Sequence, residues 1–222
     1  MGKKLISILI CTLPNRTGSL THLLNELNDQ IDHDHLSEHV EVLYLGDFKT
    51  MTVGAKRNAL INASTGDNLA FIDDDDEVSP NYINALFEAV MLSPHVDVYN
   101  FTVEITQCGK DPKPVYYSKD FLRDQNFSNH YQRIPNHLML IKADHVRCTP
   151  YKDINFKEDA DFSARLLPLL RTEIVIDEIL YYYKADPFNS ETLPEDIRQQ
   201  VIKHLKPPPP PPPPPRKIKR TW

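Results

Sequence analysis

Glycine is scarce in this chain of 222 residues, with six in all, and that excludes a collagen-like repeat. Cysteine is scarcer still. Cys11, Cys108 and Cys148 are far apart, odd in number and form no CxxC pair, so neither a zinc site nor a disulfide framework is signalled. Free thiols fit a reducing compartment, and a cytoplasmic location is expected. No apolar run approaches the ~20 residues of a membrane span. The opening MGKKLISILICTLPNR is basic and then apolar, in the order of a signal peptide. Its apolar stretch from Leu5 to Leu13 is short, carries Ser7 and Thr12 and lacks a small-residue cleavage site, so it reads as a first core strand.

Positive charge is also in deficit. The net charge is −6, and without the four basic residues Arg216, Lys217, Lys219 and Arg220 near the end it is about −10. An acidic domain is a poor match to a polyanion held by charge alone, so no nucleic-acid partner is expected. A phosphate ligand bridged by a metal remains open, because the ion inverts the local sign.

What the chain has in excess is proline, and it is concentrated. Nine of the 19 form one run, Pro207 to Pro215, and ten are spread over the first 206 residues. With 41% apolar and 25% charged residues, residues 1–206 can bury a core and suit one domain. Residues 207–222 read as a polyproline II spacer about 28 Å long with a basic tail, leading to further modules. A disordered tail is the other reading of that composition.

The apolar spacing sets the fold class. Leu5–Cys11, Val40–Leu45 and Leu69–Ile72 are short apolar runs of strand type. Leu20, Leu23, Leu24, Leu27 and Ile31 recur at helical spacing, and Val53–Ala63 also reads as a helix. Pro80 opens a third helix, with Ile83, Leu86, Phe87, Val90 and Met91 inward. Alternating strands and helices predict an α/β domain with a mainly parallel mixed sheet flanked by helices. Beyond it, Val98–Ile105 and His137–Lys142 have strand character and Lys110 to Arg133 reads as loops. Ala160–Leu170 reads as a helix, Ile174–Ile176 and Leu180–Tyr183 as strands, and Pro194–Leu205 as a last helix.

Ligands of such sheets bind beyond the carboxyl ends of the strands. Here those ends carry Thr12 to Arg16, Asp47, and the run Asp73 to Asp76. Adjacent carboxylates repel, so FIDDDDEVSP is unfavourable unless solvated or neutralised. Residues two apart on an extended backbone point the same way, which pairs Asp73 with Asp75 and Asp74 with Asp76. Mg²⁺ or Mn²⁺ takes carboxylate oxygens and completes its shell with water and phosphates. A solvated acidic loop or a Ca²⁺ site is the alternative. In FKEDADFSARL, Glu158, Asp159 and Asp161 stand where a helix begins; on this segment alone the helix dipole is the stronger account of such acids, and a general base is the functional one. Lys56, Arg57 and Asn58 in the first turns of a helix suit a diphosphate.

Together ISILICTLPNR, RNALINASTG, FIDDDDEVSP and EDADFSAR resemble the landmarks of the family-2 glycosyltransferases, which have the GT-A fold. The resemblance covers about residues 4 to 180. It implies a metal-dependent transfer of a sugar from a UDP-sugar to a hydroxyl of a glycan or glycoprotein acceptor. On the same resemblance Thr12, Leu13 and Arg16 border the nucleoside, Asp47 bonds the base, and Lys56, Arg57 and Asn58 lie near the diphosphate or sugar. Asp73 lies near the ribose with Asp74 among the donor contacts, Asp75 with Asp73 binds Mn²⁺ or Mg²⁺ (a slip of register to Asp74 and Asp76 is the alternative, which the Pro80 spacing disfavours), and Asp159 is the base with Glu158 beside it. One base facing the leaving group implies inversion. The acceptor-side segment departs from the family pattern; His137, His145 and Tyr151 are its candidates for acceptor contacts, although a lone histidine is more often structural. The proline run, the acidic tetrad and the length also resemble the amino-terminal glycosyltransferase modules of large chlorella-virus proteins, which implies capsid glycan synthesis. Two other readings stay open: a non-catalytic module that binds a nucleotide-sugar or metal, and a sugar-phosphate nucleotidyltransferase. The second needs a glycine-rich first loop, and TLPNRTG holds only Gly18.

Overall fold

The computed structural model describes residues 2–185 and Gln199; the helix expected over Pro194–Leu205 and the proline run lie outside the described residues. In chain order the elements are β1 (Ile6–Thr12), α1 (Thr17–His33), β2 (Val40–Gly46), α2 (Val53–Ala63), β3 (Asn68–Asp73), β4 (Glu77–Val78) and α3 (Tyr82–Leu92). Then come β5 (Val98–Gln107), β6 (Lys110–Tyr117), β7 (Gln125–Asn126), β8 (Tyr131–Arg133), β9 (Leu140–Lys142), α4 (Ala143–Arg147), α5 (Glu158–Leu166) and β10 (Glu173–Ala185).

The first three strands lie side by side in the order β2-β1-β3, all parallel. Ile6, Ile8, Leu9 and Ile10 of β1 are all buried, as a central strand covered on both faces requires. The chain steps one way from β1 to β2 and the other way to β3. Right-handed crossovers therefore put α1 and α2 on opposite faces. The register aligns the strand ends: Thr12 sits opposite Gly46, and Cys11 opposite Asp73. Gly66 closes the α2–β3 turn against β1, where a Cβ would fall 2.6 Å from the Ser7 amide nitrogen. The glycine is thus required by close approach of backbones.

The sheet is mixed beyond β3. β9 runs antiparallel between β3 and β5, and β10 lies parallel along β5. β10 is one bulged strand where two short strands were expected, because register shifts after Ile176 and Ile179 absorb the polar Asp177-Glu178 pair. The bulges let it continue to β4, which it pairs antiparallel through Tyr181 and Tyr182.

Two further expectations differ from the structure. Lys110 to Arg133 is not all loop: β5 and β6 form a hairpin with Gln107 opposite Lys110. Its two turn residues, Cys108 and Gly109, both have positive φ, the geometry of a tight primed turn. Pro112 and Pro114 disguised β6, since proline argues against a strand; both precede the stretch that also pairs with β8. Met91 is exposed instead of inward, and Tyr82 and Ala85 complete the buried face of α3.

Candidate active site

The acid run leaves β3 after four buried residues, Leu69, Ala70, Phe71 and Ile72. Burying Leu69, Phe71 and Ile72 contributes roughly 1.5–3 kcal/mol each. Like charges about 5 Å apart repel by roughly 3 kcal/mol at an intermediate dielectric. The strand therefore holds the acids in place only if most of their charge is met by partners, and the structure supplies them separately for each residue.

Asp74 turns towards the loop after β1. Its Oδ2 accepts from the Thr12 hydroxyl at 2.6 Å and its Oδ1 from Arg16 Nη1 at 2.6 Å. Asp76 turns towards β10, where Oδ2 accepts from the Tyr181 hydroxyl at 2.7 Å and Oδ1 from the Lys184 amide at 2.8 Å. The Tyr181 oxygen in turn accepts from the Asp73 amide at 3.1 Å. Burial, then Asp73, hold the Asp76 carboxyl well above the usual carboxylate range.

Asp73 and Asp75 keep accessible carboxylates, with side-chain exposures of 35% and 51%, against 3% for Asp74. Asp75 Oδ2 lies 3.1 Å from Arg16 Nη1. Burial and the charges of Asp73 and Asp74 push its pKa up, against the pull of Arg16. Burial works against the charge of Asp73 too, yet His137, Arg57 and Arg16 outweigh it and hold that carboxyl well below its ordinary range.

Several expected donor residues lie beneath this surface. Lys56 is buried and clasps the ends of two strands, with Nζ 2.8 Å from Asp47 Oδ1 and 3.2 Å from the Thr12 carbonyl. Asp47 Oδ2 accepts from the Met51 amide at 2.7 Å. Lys56 and then the Met51 amide hold the Asp47 carboxyl far below its usual range. Leu13 is extended and precedes the short turn Pro14–Arg16 that aims Arg16 at the tetrad. Asn58 exchanges two bonds with Tyr151: its Nδ2 donates to the Tyr151 carbonyl at 2.9 Å, and its Oδ1 accepts the Tyr151 amide at 2.8 Å. Arg57 has its guanidinium 5.4 Å from the Phe71 ring and 5.3 Å from the Tyr151 ring.

The same end of α2 positions the second acidic segment. A Cβ on Gly54 would fall 1.8 Å from the Lys152 carbonyl oxygen. The Gly54 amide donates to the Ile154 carbonyl at 3.2 Å, and the Val53 amide to Asn155 Oδ1 at 3.0 Å. This lacing delivers Lys157, with φ of 63°, to the start of α5. Glu158 then turns inward and is buried, while Asp159 is only partly covered and accepts the Ala160 amide at 2.8 Å. Burial, and next Arg57 against it, act on Glu158, whose pKa ends above its ordinary value.

His137 and Tyr151, the expected acceptor contacts, are buried. His137 Nε2 is 3.7 Å from Asp73 Oδ2, too long for a hydrogen bond, and Tyr151 stacks on Phe162 of α5 at 4.3 Å. His145 is remote: it pairs with Asp97 at 2.7 Å, at the end of the sheet where β3 and β5 begin. Two residues went unassigned in the sequence. Tyr181 pins the tetrad from β10. Tyr183, two positions on, leaves the strand on the same side and is partly exposed. Burial raises its pKa, and the charges of Asp73, Asp76, Asp75 and Asp159 add to it. The consecutive tyrosines 181–183 are the signal that marks them.

Among the described residues no three His, Cys, Asp and Glu side chains group to hold a metal ion. Two accessible carboxylates, Asp73 and Asp75, are a partial set of hard oxygen donors. That set fits Mg²⁺ or Mn²⁺, which retain waters and phosphate oxygens, better than a closed protein cage. Among the described residues no helix is long and apolar enough to cross a membrane.

Comparison with known proteins gives two findings. The Glycosyl transferase family 2 pattern matches residues 17–148, more than half of the chain. Among solved structures, S. aureus TarS 1–349 in complex with UDP-GlcNAc is similar, with a TM-score of 0.59 and 15% identity. The match covers 85% of this chain and 60% of that one. The same TarS fragment in complex with UDP gives a TM-score of 0.58 at 16% identity, covering 90% of this chain and 70% of that one. At such identity the likeness shows the fold, GT-A, with its mixed sheet flanked by helices. No curated protein matches the sequence. The family pattern runs from the start of α1 through the acid tetrad to the end of α4, and by it this chain belongs to glycosyl transferase family 2.

Proposed function

We propose that the protein is a metal-dependent glycosyltransferase that moves a sugar from a UDP-sugar to a hydroxyl of a glycan or glycoprotein acceptor, with inversion at the anomeric carbon. The observation that carries this reading is the division of the tetrad. Asp74 and Asp76 are bonded into the fold, and Asp73 and Asp75 are left with accessible carboxylates. The UDP and UDP-GlcNAc complexes of TarS support the choice of donor class.

Asp75 and Asp73 would hold Mn²⁺ or Mg²⁺, which when bound neutralises charge on a diphosphate leaving group. Arg16, already between Asp74 and Asp75, is the cation that would assist the ion there. The loop Thr12 to Arg16 and Asp47 border the nucleoside side. Asp159, partly exposed at the start of α5, takes the proton of the attacking hydroxyl. Attack opposite the departing UDP is a single displacement, and it inverts the centre. The setting rests on the resemblance of the sequence to chlorella-virus modules: viral capsid glycan synthesis in the host cytoplasm, with residues 1–206 as the catalytic domain and 207–222 as the link to further modules.

A panel of UDP-sugars with Mn²⁺ and simple glycoside acceptors tests the reading. UDP release and a product of inverted anomeric configuration by NMR are expected. A retained configuration overturns the single displacement. UDP binding without turnover of any donor would favour a non-catalytic module.

A further inference from the structure

Arg57 is an enclosed cation of the site, with a side-chain exposure of 5%. Its guanidinium lies against two rings, Phe71 of β3 and Tyr151 of the loop before α5. The Tyr151 ring stacks on Phe162 at 4.3 Å with planes 10° apart, so the aromatic column runs from the acid strand into α5. At its edges, Nη2 is 3.5 Å from Asp73 Oδ1 and Nη1 is 3.5 Å from Glu158 Oε1. Both distances are ion-pair separations and longer than good hydrogen bonds. Arg57 Nη1 and the Tyr151 hydroxyl are buried with no hydrogen-bond partner among the described residues. Burial opposes the charge on Arg57, but Tyr151, Asp73 and Glu158 outweigh it and hold its pKa high.

A planar guanidinium can stack on rings and face two carboxylates at once, which a lysine cannot. The diphosphate role expected for Arg57 would require it to leave this enclosure. We infer that Arg57 is a positioning residue, a buried cation that ties Asp73 on β3 to Glu158 on α5 and so sets the base Asp159 in register with the donor acids. The inference rests on the proposed glycosyl transfer and deepens it, since Arg57 acts on the reaction through Asp73 and α5 without touching the substrate.

The test compares Arg57→Gln, Glu158→Gln and the double variant in the full chain. UDP affinity is measured by calorimetry with Mn²⁺, uridine affinity alongside it, and kcat with a turned-over UDP-sugar. A positioning role predicts UDP and uridine affinities within about threefold of wild type, as for a change away from the ligand. It predicts kcat reduced on the order of 100-fold in each single variant, the scale of a misplaced catalytic group. The double variant should lose no more than either single one, because both break the same tie. A tenfold or greater loss of UDP affinity in Arg57→Gln, with uridine binding intact, would make Arg57 a diphosphate ligand and overturn the inference. Multiplying losses in the double variant would do the same. If Arg57→Gln does not fold, Glu158→Gln decides alone, and an unchanged kcat there sinks the tie. A wild-type protein that neither binds UDP nor turns over any UDP-sugar would instead defeat the proposed function itself.

Discussion

Asp76 has one oxygen on the Tyr181 hydroxyl and the other on the Lys184 amide, while Asp74 is held by Thr12 and Arg16. Tyr181→Phe removes the donor to Asp76 and the acceptor of the Asp73 amide together. Leaving such buried groups unmet costs roughly 1–3 kcal/mol each, so a lowered urea midpoint and reduced turnover are expected. A wild-type midpoint would show that the tetrad is held by other contacts. Asp159→Asn should keep UDP affinity while transfer falls on the order of 10³-fold, within the usual range for a lost general base. Loss of UDP binding as well would assign Asp159 a structural role. The acidic residues were legible because charge at a strand end is a local signal. Tyr181 was not, since its partners are more than a hundred positions away in sequence and meet it only through the bulged β10.

Within the elements, the α2 start and the loop before α5 form one joint. Gly54→Ala places a methyl against the Lys152 carbonyl, and the loop must move to accept it. Destabilisation of about 1–3 kcal/mol is expected, with transfer falling more than UDP affinity, because α5 shifts and the nucleotide side does not. Equal losses in both would place the joint under the nucleotide. At the far end of the sheet, Asp97 joins β5, His145 of α4 and the amides of Arg171 and Thr172. Burial alone would raise its pKa; the His145 partner and then the two amides outweigh it and bring it from 3.8 to about 2. A depressed carboxyl adds stability above its unfolded pKa and loses it as pH falls through the folded one. The destabilisation by Asp97→Asn, read from urea unfolding, should therefore be full near neutral pH and fade between about pH 4 and pH 2. A pH-independent difference would contradict the ionised Asp97 carboxylate as its cause. Helix α2 and strands β1 to β3 were legible because each is a continuous apolar or periodic run. The β5–β6 hairpin was hidden by prolines, and its two-residue Cys108-Gly109 turn was the overlooked sign.

At the scale of the whole molecule, a chain of net charge −6 would meet an anionic donor through a few cations already engaged by acids. Arg16 is shared by Asp74 and Asp75, Lys56 is taken by Asp47, and Arg57 stands between Asp73 and Glu158. The α/β class and the edge of the sheet that bears the acids followed from alternating strands and helices. How Lys56, Arg57 and Asn58 divide did not follow, since they look alike on a helix start, yet Lys56 meets Asp47, Asn58 bonds the Tyr151 backbone and Arg57 stands between Asp73 and Glu158. The account turns on Asp75 and Asp73 receiving a divalent ion together with a diphosphate. The measurement that tests this most directly is calorimetric titration of UDP into the wild-type protein and into Asp75→Ala, each with and without Mn²⁺. The account predicts that Mn²⁺ tightens UDP binding by about tenfold or more in the wild type, and that Asp75→Ala loses this gain. Equal UDP affinity with and without the ion, or an undiminished gain in Asp75→Ala, would contradict it.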